Sequence, residues 1–179
     1  RIEFPEAQAA LQLSPGSVFI AAEGYTLNKK WLEAHFDELD PVVAHRMIKG
    51  KDVTSGEYLR NSYAAKRLRA EVANALKNVD VLLVPTTPIS AQPVAEVDTN
   101  MEKYLEQNAF YLRNTCIGNV LNMCGLSVPC GFTKKGFPIG LLIYGKPFQE
   151  NVVLRAGYAF QQITDWHKRV PDLSWLANK

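Results

Sequence analysis

An α/β chain is what this sequence predicts, mainly helical over residues 1–79 and built of strand and helix segments over residues 80–179. Three observations predict it. Apolar residues recur at helical spacing in the first part, as at Leu27, Trp31, Leu32, Phe36 and Leu39. Asp80 to Val84 is an apolar run of strand length, closed by Pro85 and fed by a helical stretch. Two further apolar runs, Leu126 to Phe132 and Ile139 to Tyr144, flank an exposed turn at Lys134, Lys135 and Gly136. With 179 residues, 47% of them hydrophobic, the chain can bury a sizeable core and suits one domain.

Taken in order, Arg1 to Glu6 reads as a strand end or connector, because Pro5 biases Phe4 toward extended geometry. The Leu27 to Leu39 pattern lies between Gly24 and Pro41 and marks an amphipathic helix. Asp40 and Pro41 supply an N-cap and a first-turn proline for the next helix, ending at Gly50. A longer helix starts after Thr54 or Ser55 and runs to about Asn78, burying Tyr58, Leu59, Ser62, Ala65, Val72 and Leu76.

Asp80 to Val84 is the best strand, and its unbroken apolar character suits a parallel or mixed sheet covered on both faces. Pro85 to Pro93 contains three prolines that withhold ladder donors, so it forms a loop. Asn100 caps a helix reaching Met123, with Gly125 placed as its left-handed terminator. Pro129 makes the following strand an edge, bulged or irregular. Glu150 or Asn151 caps a last helix with Val152, Val153, Ala156, Phe160 and Ile163 on one face, and Asp165, Trp166 and His167 close it before Pro171.

Composition excludes several classes. The net charge of +2 is no footprint for nucleic acid, and Lys66, Arg67 and Arg69 read as a solvated helix face. Cys116, Cys124 and Cys130 are odd in number and lack Cys-x-x-Cys spacing, which argues against a disulfide framework or a zinc site. No metal or organic cofactor is expected. Neither a charged-then-apolar leader nor a run near 18 apolar residues is visible, which predicts a cytoplasmic setting without a membrane span. The chain opens on Arg1 rather than Met, so a leader lost with upstream sequence stays open.

The succession Asp80, Pro85, Thr86, Pro88, Thr115, Asn119, Gly125, Pro129, Gly131, Gly136, Pro138, Gly140, Gly145 and Glu150 resembles the C-terminal part of the amidase signature family. Upstream, Glu23, Asp40, Pro41, Gly50, Tyr58 and Arg67 match its pattern more loosely. The resemblance covers about Ile2 to Pro171 and implies the C-terminal part of a mixed-sheet fold with flanking helices. It implies hydrolysis of a carboxylic amide to an acid and ammonia or amine, through a Ser, a cis-Ser and a Lys. None of that machinery is in this chain: Ser14, Ser17, Ser55, Ser62, Ser90, Ser127 and Ser174 all stand apart. Ser127 also lacks the second glycine of a nucleophile elbow. The catalytic N-terminal half is therefore expected to be absent, and the chain alone inactive.

No catalytic residue is assigned. Thr86, Thr87 and Pro88 follow a strand's carboxyl end, where ligands collect in open α/β sheets, so they read as a pocket wall or as a rigid turn. By resemblance Thr115 and Asn119 match a Thr-x-x-x-Asn pair; four apart, they share one helical face, and they hold the serine loop or face substrate. In the related glutamyl-tRNA amidotransferases, the pattern of the A-type subunit places an acidic residue before that Thr. Leu112 stands there in this chain, which argues against glutamine as substrate.

The expected partners are the missing half and a small-molecule amide, with no nucleic acid and no membrane; a homodimer is left open. Two alternatives stand beside the hydrolase: a noncatalytic module binding through an exposed sheet edge, and an ammonia-transferring enzyme of the amidotransferase type. A free-standing Cys-His hydrolase, dependent on Cys116, is a third. His35, His45 and His167 are isolated in sequence and have no nucleophile placed against them.

Overall fold

The fold is given by a computed structural model that describes residues 2–13 and 18–170; Arg1, Ser14, Ser17, Pro171 and Ser174 lie outside the described residues. Seven helices are described: α1 (Glu6–Leu13), α2 (Val18–Ala34), α3 (Pro41–Ile48), α4 (Ser55–Ala75), α5 (Val94–Val97), α6 (Met101–Leu121) and α7 (Glu150–Gln162). The strands are β1 (Val81–Pro85), β2 (Cys124–Phe132) and β3 (Pro138–Gly145). Short side chains start the helices where the sequence predicts. Asp40 accepts from the backbone N–H groups of Val42 and Val43, Thr54 from Glu57, and Asn100 from Lys103. Each thereby satisfies donors that a helix start leaves unpaired.

The strands lie in the order β1-β3-β2, with both pairings antiparallel. Period-two alternation gives the sheet two apolar faces. On one face Leu82 joins Ala10, Leu68, Val72, Leu76, Val120 and Leu121, contributed by α1, α4 and α6. On the other, Val81, Leu126, Val128, Leu141 and Ile143 pack against Val153, Ala156 and Phe160 of α7. The described portion is thus a helix layer, a sheet and a second helix.

Several expectations are corrected. Residues 2–5 are irregular as read, but a helix follows at once: α1 turns in from Phe4 and Pro5, whose carbonyls accept from Ala7, Gln8 and Ala9. Helix α2 runs straight through Gly24 and stops at Ala34, and Phe36–Glu38 forms a separate 3-10 turn. Its buried residues are Ala21 and Leu32, while Leu27 and Trp31 face solvent. Helix α3 passes at Ile48 into a 3-10 turn, Lys49–Asp52, instead of ending on Gly50. In α4, Leu68 takes the buried place expected of Leu59, which is 51% exposed.

The strand ending at Pro85 is an edge strand in this sheet, and its Leu83 is 59% exposed. Helix α6 ends at Asn122, which takes the left-handed conformation (φ 56°) expected of Gly125, and Gly125 lies inside β2. Asparagine reaches this region at low cost because its short amide bonds locally. Strand β2 is both an edge and bulged, with its register shifting between Pro129 and Gly131. The last helix is preceded by Gln149 without a side-chain cap, and Ile163 is exposed beyond its end. Arg69 departs from the solvated face, its Nε donating to the Val120 carbonyl at 2.7 Å.

Candidate functional site

At the carboxyl end of β1 the ladder continues one residue past Pro85: the Thr86 N–H donates to the Gly140 carbonyl at 2.9 Å. Gly140 sits on the central strand without a side chain. Over it, Thr86 Oγ1 and Ser127 Oγ meet at 2.6 Å, so hydroxyls from the two outer strands join across the middle one. A Cβ on Gly140 would stand 2.6 Å from Thr86 Oγ1 and 2.9 Å from Ser127 Oγ. Thr86 is half-buried and Ser127 exposed. Each hydroxyl carries one proton, and the mutual bond consumes one. The pair keeps one O–H to donate to a carbonyl oxygen, and lone pairs that accept from an amide N–H.

Helix α6 fixes this corner from the side. Asn114 Nδ2 donates to the Pro85 carbonyl at 2.8 Å. The buried Tyr144 hydroxyl, from β3, donates to the Asn114 carbonyl at 2.8 Å, with the Thr115 carbonyl at 3.3 Å, and accepts from the Gly118 N–H at 3.3 Å. A Cβ on Gly118 would collide with Tyr144 Cε1, so this close approach requires glycine. Burial pushes the Tyr144 phenol above its ordinary value, against the opposing pull of the Gly118 backbone hydrogen bond, so the hydroxyl stays a donor at neutral pH. Farther along the loop, Tyr111 donates to the Ser90 carbonyl at 3.1 Å and ties it to α6.

The residues singled out in the sequence fall unevenly around this corner. Thr86 is in the bridge. Thr87 Oγ1 donates to the Ile89 carbonyl at 2.8 Å and closes a local turn, with half-buried Pro88 between them. Thr115 Oγ1 donates to the Leu112 carbonyl of its own helix at 2.9 Å. Asn119 is exposed and makes no side-chain hydrogen bond among the described residues. Asn114, not Thr115 or Asn119, reaches the end of β1.

Sequence reasoning missed Ser127, Asn114 and Tyr144 as parts of the corner. A signal for Ser127 existed: it is the polar residue between Leu126 and Val128, so strand periodicity sets it on the opposite face from both. For Asn114 and Tyr144 no local signal existed, since their partners lie 29 and 30 residues away.

The histidines stay away from this corner. His35 Nδ1 lies 2.9 Å from Glu38 Oε1, and His45 Nδ1 lies 2.7 Å from the Pro41 carbonyl. Cys116, Cys124 and Cys130 are free thiols, and Cys124 donates to the Lys146 carbonyl at 3.2 Å. Among the described residues, no three His, Cys, Asp or Glu side chains converge as metal ligands, and no helix is long and apolar enough to cross a membrane.

Comparison with known proteins gives a family match. The family model Amidase matches residues 3–154. The A-type subunit of the glutamyl-tRNA(Gln) amidotransferase of Roseiflexus sp. (strain RS-1) is 37% identical over 155 residues, covering 79% of this chain and 31% of that protein. The 2-amino-5-chloromuconic acid deaminase of Comamonas testosteroni is 38% identical over 124 residues, 67% of this chain and 27% of that protein. In structure, the 6-aminohexanoate cyclic dimer hydrolase complexed with substrate shares the fold, with a TM-score of 0.77 at 19% identity over 97% of this chain and 39% of that one. The chain spans about three tenths of the length of the curated relatives it matches.

Proposed function

The chain belongs to the amidase family, and from that premise we propose that it is the C-terminal portion of a hydrolase cleaving a carboxylic amide to an acid and ammonia or amine. In this reading the intact enzyme is cytoplasmic and carries its Ser, cis-Ser and Lys upstream of the 179 residues. The serine oxygen attacks the amide carbonyl carbon while its proton passes through the cis-Ser to the Lys amine. Backbone N–H groups of the upstream glycine loop hold the oxyanion. The C–N bond then breaks as the nitrogen takes that proton and leaves, and water releases the acid from the acyl-serine.

This chain supplies the pocket wall: Thr86 and Ser127 present their hydroxyls at the carboxyl end of β1, with Thr87, Pro88, Thr115 and Asn119 forming the rim. The observation that carries the assignment is the 2.6 Å Thr86 to Ser127 bridge over Gly140, a fixed polar corner with an unspent donor. The 1–179 segment acts here as a single partial domain.

The test is ammonia release from a panel of primary amides, by the chain alone and by the chain extended upstream through a serine-rich glycine loop. The reading expects activity in the extended form only. Activity in the short form would overturn it and return the cysteines and histidines to consideration.

A second reading is transfer of the ammonia, favoured by the 37% identity to the amidotransferase relative. Leu112, exposed beside Thr115, weighs against it as the departure from the expected acidic residue. Ammonia retained until glutamyl-tRNA is added, instead of being released freely, would favour transfer.

A further inference from the structure

Helix α2 carries two apolar stripes, and the fold uses one of them. Ala21 and Leu32 are buried. On the outward face, Ile20, Gly24, Leu27 and Trp31 follow at steps of four, three and four, the a/d spacing of a two-helix seam. Ile20 is 66% exposed, Leu27 84% and Trp31 53%. No heavy atom lies within 4 Å of where a Gly24 Cβ would stand, so the stripe has an open hole at its centre. Single exposed apolar residues need no explanation, but an aligned stripe on one helix does.

We propose that α2 is a homodimer seam, two copies packing this helix antiparallel about a two-fold axis between Tyr25 and Thr26. In that register Leu27 of one copy enters the hole at Gly24 of the other, and Ile20 faces Trp31. The flanking charges agree: Glu23 of one copy faces Lys30 of the other, and symmetry makes the pair twice. Glu23 Oε1 already accepts from Tyr58 at 2.7 Å, which leaves its second oxygen for the lysine. Moving the register by one heptad either way leaves Trp31 or Ile20 without a facing apolar residue. A parallel seam sets Gly24 against Gly24 as a void and brings Glu23 beside Asn28. The occupant that fits all four seam positions and both charges is thus a second copy of the same helix.

The experiment is sedimentation velocity of the full chain from about 1 to 100 μM, the range expected for a short two-helix seam with Kd on the order of 10 μM. Wild type should pass from monomer to dimer across this range. Leu27→Asp should weaken the dimer at least tenfold with unchanged helical circular dichroism, because Leu27 touches little of its own fold. Lys30→Glu should weaken it about tenfold, and Glu23→Lys with Lys30→Glu together should restore it to within about threefold. Mixing Ile20→Cys chains with Trp31→Cys chains should give a cross-linked pair far more readily than either alone. A monomer throughout, a dimer indifferent to Leu27→Asp, or a charge swap that fails to restore would each overturn the proposal. Covering of the stripe by another segment of a longer protein is the monomer outcome.

Discussion

Gly140→Ala tests the hydroxyl bridge more sharply than removing either hydroxyl. The added methyl would lie 2.6 Å from Thr86 Oγ1, about 0.8 Å inside ordinary van der Waals contact, and 3.0 Å from Thr86 Cβ. Thr86 cannot retreat as a whole, since its N–H is bonded to the Gly140 carbonyl at 2.9 Å. Its side chain must rotate, giving up the 2.6 Å bond to Ser127. Losing that bond costs about 1 kcal/mol, and the remaining overpacking against Thr86 Cβ about 1–3 kcal/mol. The expected destabilisation is about 2–4 kcal/mol, read by urea denaturation with tryptophan fluorescence. In a Thr86→Ala background the oxygen is already gone, so the same substitution should cost about 1 kcal/mol less, a coupling between neighbours that a double-mutant cycle measures. Equal costs in both backgrounds, or a cost below about 0.5 kcal/mol, would refute the bridge as the reason for glycine at this position.

Other perturbations follow from the same packing. Gly118→Ala drives a methyl into the Tyr144 ring and should destabilise by about 1–3 kcal/mol in the same denaturation assay. Asp40→Ala removes the acceptor for Val42 and Val43 and should cost about 1 kcal/mol, with Asp40→Asn recovering most of it. Because the Tyr144 phenol is held above its ordinary value of 10.0, the unfolded chain loses this proton first as pH rises. Its contribution is complete below about pH 10 and is lost as pH climbs toward the folded value, at up to about 1.4 kcal/mol per pH unit. Melting temperatures from pH 8 to 11 should fall less steeply above pH 10 in Tyr144→Phe than in wild type.

Much of the fold is legible because its signals are local. Asp40-Pro41, Thr54 and Asn100 act as the starts their chemistry implies, and Pro129 does mark an irregular edge strand. What is not legible depends on neighbours distant in sequence. Leu27 and Trp31 have helical spacing, but spacing alone does not say which of two stripes faces inward, and Leu32 holds that place. Asn122 rather than Gly125 terminates α6, since left-handed geometry is open to asparagine as well as glycine. The run ending at Pro85 reads as a strand covered on both faces, yet nothing in the described portion pairs with its outer edge. At the candidate site, Thr86 is found through the loop it opens. Its partner Ser127 lies 41 residues on, and only the strand register brings them together.

If this chain is the wall of an amide pocket, the nucleophile lies upstream, and a fluorophosphonate, which bonds covalently to activated serines, will find it there. Labelling followed by peptide mapping should mark a serine of the upstream glycine loop in the extended protein. The 179-residue chain should take no label. Label on Ser127, or on any serine of the short chain, would contradict this division between upstream chemistry and a wall that only shapes the pocket.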